Sequence, residues 1–206
     1  MSRFPRWWFW AVGSVPAAVT AIGLTIQTSG IEGDIRDGVQ AVVPGAVVQV
    51  YGRDVTIGGL QMERLPEARL AAAKAPGVRT VATVDPVLRP MRLVFQGGQV
   101  VVSGATGKDE WRRAFVDSLK PHANGHPVVD QTRTVPDTDF PITTTAAEAM
   151  VAVVTQQRSD LTIAVEAGQV TITGVVPDAA VRSAIVTVLR RFLGATTVID
   201  QTRPKE

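Results

Sequence analysis

Three stretches of this chain share one ungapped frame. Gly59, Gly104 and Gly174 each close a run of alternating apolar residues, and Asp85, Asp130 and Asp200 follow them at one interval of 26 residues. Val55, Val100 and Val170 each stand four residues before the glycine. The second and third copies agree most closely: GQVVVSG (98–104) answers GQVTITG (168–174), and VVDQTR (128–133) answers VIDQTR (198–203). A fixed register across three copies is an internal repeat. The chain is therefore built from copies of one small supersecondary unit that pack together. Nothing catalytic sits in the shared frame.

The third copy shows the unit best. Leu161, Ile163 and Val165 alternate with Thr162, Ala164 and Glu166, and Val170 and Ile172 alternate with Gln169, Thr171 and Thr173. Period two predicts strands with one buried face. Ala167-Gly168 suits the tight turn between them, as do Gly97-Gly98 and Gly52-Arg53 in the other copies. The inward positions recur as Met91, Leu93 and Phe95, and as Ala46, Val48 and Val50. A helix is predicted from about Pro177 to Leu193, with Val181, Ala184, Ile185, Val188 and Phe192 on its apolar face. Pro177 opens it and Gly194 closes it. Copy two repeats that face with Trp111, Ala114, Phe115 and Leu119, and copy one with Leu70 and Ala73 between Pro66 and Pro76-Gly77. The Trp111 position matches that of Val181 and is read as core rather than as a lipid-facing ring. Closing strands are expected at 78–84, 127–131 and 196–201.

A leading helix precedes two copies. Thr145 with Glu148 three residues on reads as a capping box, followed by a stripe of Ala147, Met150, Val151 and Val154. Ile31, Ile35, Val39 and Val42 make the same stripe before copy one. The full unit is αββαβ, and the middle copy lacks its leading helix. The fold class is α/β (α+β), a mixed sheet or sheets with helices mainly on one face. Residues 30–133 carry repeats one and two, 134–144 (TVPDTDFPITT) read as a Pro- and Thr-rich linker, and 145–203 carry repeat three.

This pattern resembles the BON domain family. The V-x-(V/I)-x-G signature appears at Val55/Gly59, Val100/Gly104 and Val170/Gly174. Gly77-Val78 matches the Gly-Val before the closing strand in copy one only. The resemblance covers 31–133 and 145–203. Tandem units behind an apolar segment are also similar to the N-terminal half of mycobacterial outer-membrane-protein-A-like proteins. The further peptidoglycan-binding domain of those proteins has no counterpart in residues 1–206, so that activity is not carried over. What the resemblance implies is attachment to phospholipid or another envelope component, peptidoglycan among them.

Trp7 to Ile26 is WWFWAVGSVPAAVTAIGLTI, 20 residues without a charge. At about 1.5 Å per residue it matches the hydrocarbon thickness of a bilayer. Residues 1–6 form a tip with Arg3 and Arg6, and Trp7, Trp8 and Trp10 suit an interfacial belt. The expectation is one uncleaved single-pass helix, a cytoplasmic N-terminus and a body on the extracytoplasmic side. Two alternatives compete: a signal peptide cleaved at Val19-Thr20-Ala21, and a buried soluble helix.

Net charge is +2, and removing Arg3 and Arg6 from the 21 basic residues leaves 19 against 19 acidic ones. A neutral body argues against nucleic acid as a partner. The chain has no cysteine, which excludes disulfides, thiol nucleophiles and cysteine metal sites. His122 and His126 stand four apart, but Pro121, Gly125 and Pro127 make their segment a loop rather than a metal-binding helix. Asp85, Asp130 and Asp200 read as turn-makers or edge residues, with Arg133 and Arg203 as local surface partners. Ser103 lacks a nucleophile elbow. No cofactor, metal or catalytic residue is assigned, and the expectation is a non-enzymatic envelope protein. Its alternative is a subunit of an oligomeric envelope assembly or pore, with copies pairing by sheet edges; an enzyme ranks last.

Overall fold

A computed structural model describes residues 30–156, 160–166, 168–193 and 197–205. The expected membrane span, 7–26, lies outside them. Among the described residues no helix is long and apolar enough to cross a membrane. The chain divides into two compact units, Met1–Asp85 and Pro86–Glu206.

The first unit contains repeat one as αββαβ. Helix α1 (30–42) leads to β1 (Val47–Tyr51), β2 (Asp54–Gly58), α2 (Leu65–Ala73) and β3 (Thr80–Thr83). The sheet order is β1-β2-β3, with β1–β2 antiparallel and β2–β3 parallel. Gly52 at φ 61° makes the two-residue turn between β1 and β2, where positive φ at the first turn residue suits glycine. Val48, Val50, Val55 and Ile57 point to one face, against Ile35, Val39, Leu65, Ala68 and Ala72. Both helix stripes differ from the sequence expectation. In α1 Ile35 and Val39 are buried, as is Val43 just past its end, while Ile31 and Val42 are exposed. In α2 Leu65, Ala68 and Ala72 are buried, and Leu70 is 65% exposed. The short helix turns its small residues inward because its alanines allow close approach to the sheet.

The second unit joins repeats two and three. Strand β4 (Val87–Leu88) is followed by β5 (Met91–Gln96), β6 (Gln99–Thr106), α3 (Asp109–Leu119), β7 (Val128–Thr134) and β8 (Thr138–Asp139). Then come α4 (Thr144–Gln156), β9 (Asp160–Glu166), β10 (Gln169–Val176), α5 (Ala179–Leu193) and β11 (Thr197–Pro204). Six strands form one mixed sheet in the order β11-β10-β9-β5-β6-β7. Helices α3, α4 and α5 supply Phe115, Leu119, Met150, Val151, Val154, Ile185 and Leu189 to the core that buries the sheet's inner face. The expected mixed sheet with helices on one face is what forms.

The chain separates after Asp85, so repeats two and three share a sheet and repeat one is a unit of its own. The predicted linker, 134–144, is a built part of the second unit. Its β8 pairs in parallel with β4, and Thr138, Asp139 and Phe140 are buried. The Phe140 ring lies 4.3 Å from that of Phe115, and Asp139 accepts hydrogen bonds from the Thr106 hydroxyl and the Phe140 N–H. The Thr/Pro composition hid this, because a buried polar residue with partners looks like any loop residue in sequence.

Helix details also shift. Thr143, not Thr145, caps α4 by accepting the Ala146 N–H at 3.3 Å. The apolar stripe of α4 is as expected. In α3 the buried set is Phe115, Val116 and Leu119, whereas Ala114 is exposed and Trp111 is half-buried beneath the Lys108 ammonium at 4.7 Å. In α5 Ile185 and Leu189 are buried and Ala184 is exposed. The side chain of Phe192 lies outside the described set.

Candidate interaction surfaces

The recurring aspartates occupy equivalent places in two copies only. Asp130 stands beside Val102 and Asp200 beside Ile172 in the parallel ladders. Each accepts both the N–H and the hydroxyl of the threonine two residues on, Thr132 and Thr202. Each is also bound by an arginine from the crossing helix, Arg112 to Asp130 and Arg182 to Asp200. The sequence pointed to Arg133 and Arg203 as partners. The structure replaces them with residues 18 positions earlier, because the parallel crossover sets the helix beside the closing strand. Burial is the largest influence on Asp200 and raises its pKa, but Thr202 and Arg182 together hold it below the ordinary carboxylate range. These pairs tie helix to strand. Being partly exposed and screened by solvent, they add little stability of their own.

Copy one departs from this scheme. Its helix carries Glu67 where the others carry arginine. Its closing strand is slipped by two residues: Val55 stands beside Val81, so Asp85 falls beyond β3. At the start of this ladder Asp54 accepts hydrogen bonds from the Arg79 guanidinium and the Thr80 hydroxyl, a clasp that holds the start of β3 beside the start of β2. The other copies have Gln99 and Gln169 there. The Arg79 hydrogen bond, then that of Thr80, lowers the Asp54 pKa to about 2. A folded pKa below the unfolded value means stability present above about pH 4. That contribution is lost as pH falls through about 2. Asp54→Asn is therefore expected to flatten the fall in melting temperature across that acid window. An unchanged slope counts against the clasp.

The histidines do not converge. His126 Nδ1 lies 2.8 Å from the Gly98 carbonyl, fastening the loop to the β5–β6 turn, while His122 Nε2 lies 3.9 Å from Glu148. Among the described residues no group of acidic or histidine side chains could hold a metal. Clefts open on the second unit. One of about 230 Å³ is lined by residues including Phe95, Gln99, His126, Val154, Thr155 and Asp160. Another of about 390 Å³ lies over Arg89, Ser103, Gly104, Gln131 and Arg133. Neither brings together an acid, a base and a nucleophile in hydrogen-bonding reach, as catalysis needs.

The remaining surfaces are the sheet edges, and here the unit shows what it can do. Strands β5 and β9 are the first strands of repeats two and three. They pair antiparallel and fuse two three-stranded sheets into one. The sequence predicts that the copies pack together in one sheet or several, but the repeat frame says nothing about which edges meet.

Comparison with known families bears on the half of this sheet built from β9, β10, α5 and β11. The model of the BON-like domain matches residues 161–206. The third repeat is a BON-like domain. Its Val170, Ile172 and Gly174 carry the signature expected from the sequence, and Asp200 with its arginine and threonine partners lies within it. No curated protein matches the chain. Among solved structures, the C-terminal domain of CdsD, a structural protein of the type III secretion system of Chlamydia trachomatis, is 14% identical. That overlap covers 84% of this chain and 98% of that one at a TM-score of 0.29. The periplasmic domain of PrgH, a type III secretion inner-membrane protein from S. typhimurium, is 15% identical. It covers 81% of this chain and 99% of that one at a TM-score of 0.24.

Proposed function

We propose that this chain is a non-enzymatic scaffold subunit of a cell-envelope assembly, held at a membrane by its N-terminal segment and joined to its neighbours through αββαβ units. The observation that carries this is the β5–β9 ladder, in which the first strands of two such units pair and join their sheets over one shared core. Edge pairing satisfies a row of backbone donors and acceptors at once and needs no specific ligand. The equal numbers of basic and acidic residues outside the N-terminal tip suit a body that associates with other protein rather than with nucleic acid. Phospholipid or peptidoglycan attachment, implied by the family resemblance, has no built site that favours it over assembly. Tethering near a bilayer raises the effective concentration of units for one another, so modest contacts suffice.

The test is native electrophoresis of gently solubilised envelopes from cells expressing the full chain. The chain is expected in species well above its monomer mass of 21.9 kDa, with its body open to protease from outside the cytoplasm. Migration as a monomer, or a body shielded on the cytoplasmic side, would sink the proposal.

A further inference from the structure

The β5–β9 ladder is symmetric in the repeat frame. Leu93 stands opposite Ile163, Met91 opposite Val165 and Phe95 opposite Leu161. Leu93 and Ile163 each precede their frame glycine, Gly104 and Gly174, by 11 residues. Like therefore faces like, about a local two-fold centred on that position. In the first unit the same position, 11 residues before Gly59, is Val48 on β1.

Strand β1 is the edge of its sheet and its outer side pairs with no described strand. Tyr51 and Asp54 close a two-residue turn, so residues 47, 49 and 51 direct their backbone groups to β2. The N–H and C=O of Val48 and Val50 face outward, as those of Leu93 and Phe95 face β9. Protected edges carry charges, prolines or bulges. The segment AVVQVY (46–51) carries no charge and no proline. The outer strands of the larger sheet differ: β7 bears Asp130 and Arg133, and β11 bears Asp200 and Arg203. Val47 is 59% and Tyr51 77% exposed.

We propose that β1 is a homodimerisation edge. A second copy of this chain adds its own β1 antiparallel, with Val48 opposite the partner's Val48 and Ala46 opposite the partner's Val50. The result is a six-stranded sheet across two molecules, built as β5–β9 builds one within a molecule. A second copy is the occupant because the arrangement pairs a position with itself, and this strand has no charge to repel its twin. The proposal rests on the assembly role above and specifies the contact.

The absence of cysteine makes the test clean. Across the ladder Val47 faces the partner's Gln49. Full-length Val47→Cys and Gln49→Cys proteins, purified separately in detergent, are mixed and oxidised. A disulfide-linked dimer is expected in the mixture and far less of it in either protein alone. Val47→Lys/Gln49→Lys places like charges opposite one another. That variant is expected to sediment as a monomer that still unfolds cooperatively, and mixing it with Val47→Glu/Gln49→Glu is expected to restore the dimer. A monomeric wild type, a dimer that survives the lysines, or no excess of cross-link in the mixture overturns the proposal. High-mass species in native envelopes without the 47–49 cross-link would refute this edge and leave the assembly role standing. Monomers in native envelopes with the cross-link would do the reverse.

Discussion

Ile172→Asp is expected to unfold the second unit, and Thr173→Asp to leave it folded. Ile172 sits on β10 between Ile163 of β9 and Asp200 of β11 and is fully buried in the helix-covered face. A carboxylate there is cut off from water, and its ladder neighbour Asp200 already holds Arg182. An unpaired buried charge costs about 3–5 kcal/mol. Whole domains are stable by only about 5–15 kcal/mol, so the loss is a large share of the total. Thr173, one residue on, points to the opposite, half-exposed face, between Thr162 and Gln201. Thermal melting followed by circular dichroism decides the matter. Equal losses for the two variants would show that β10 is not in this register.

Gly174→Ala is expected to be nearly as damaging, and far worse than Gly104→Ala at the same frame position. Gly174 has φ 130°, and a Cβ there would lie 2.3 Å from the Asp160 carbonyl oxygen and 3.0 Å from Leu161 Cα. Both obstacles are backbone of the neighbouring strand, so β9 itself would have to move. Strain and overpacking of this kind cost about 3 kcal/mol or more. At Gly104 the added carbon would meet the edge of the Phe140 ring at 3.2 Å and the Met91 side chain at 3.4 Å. Side chains can give way, and a cost of about 1 kcal/mol is expected. Equal melting temperatures for the two variants would mean that the β9–β10 approach is looser than described.

These two residues mark what a reader of the sequence can and cannot see. The frame glycine was legible in all three copies, but not the reason for it, which is a β9 carbonyl at Gly174 and an aromatic ring at Gly104. Strand faces were legible because a period of two leaves little choice: Leu161, Ile163, Val165, Val170 and Ile172 are all buried as expected. Helix faces were legible only within one position. Small residues such as Ala114, Ala184 and Ala73 fit either side of the apolar boundary, and the sheet beneath chose which were covered.

The sequence by itself determined the unit: its αββαβ order, its hairpins, the inward face of its strands and its threefold recurrence. All of that follows from local periodicity and turn chemistry, which the chain expresses within a few residues. Only the tertiary structure decided which units combine. Repeats two and three share a sheet and repeat one forms a sheet of its own, with 134–144 built into the second unit. Arg112 and Arg182, rather than the neighbouring arginines, bind the recurring aspartates. Each is a contact between segments far apart in sequence. The backbone groups along a strand edge are alike in every copy, so no residue pattern names the partner. The closing strand of repeat one is offset by two residues, with Asp54 holding Arg79 and Thr80 at its start, a choice that becomes visible only when the two strands lie side by side.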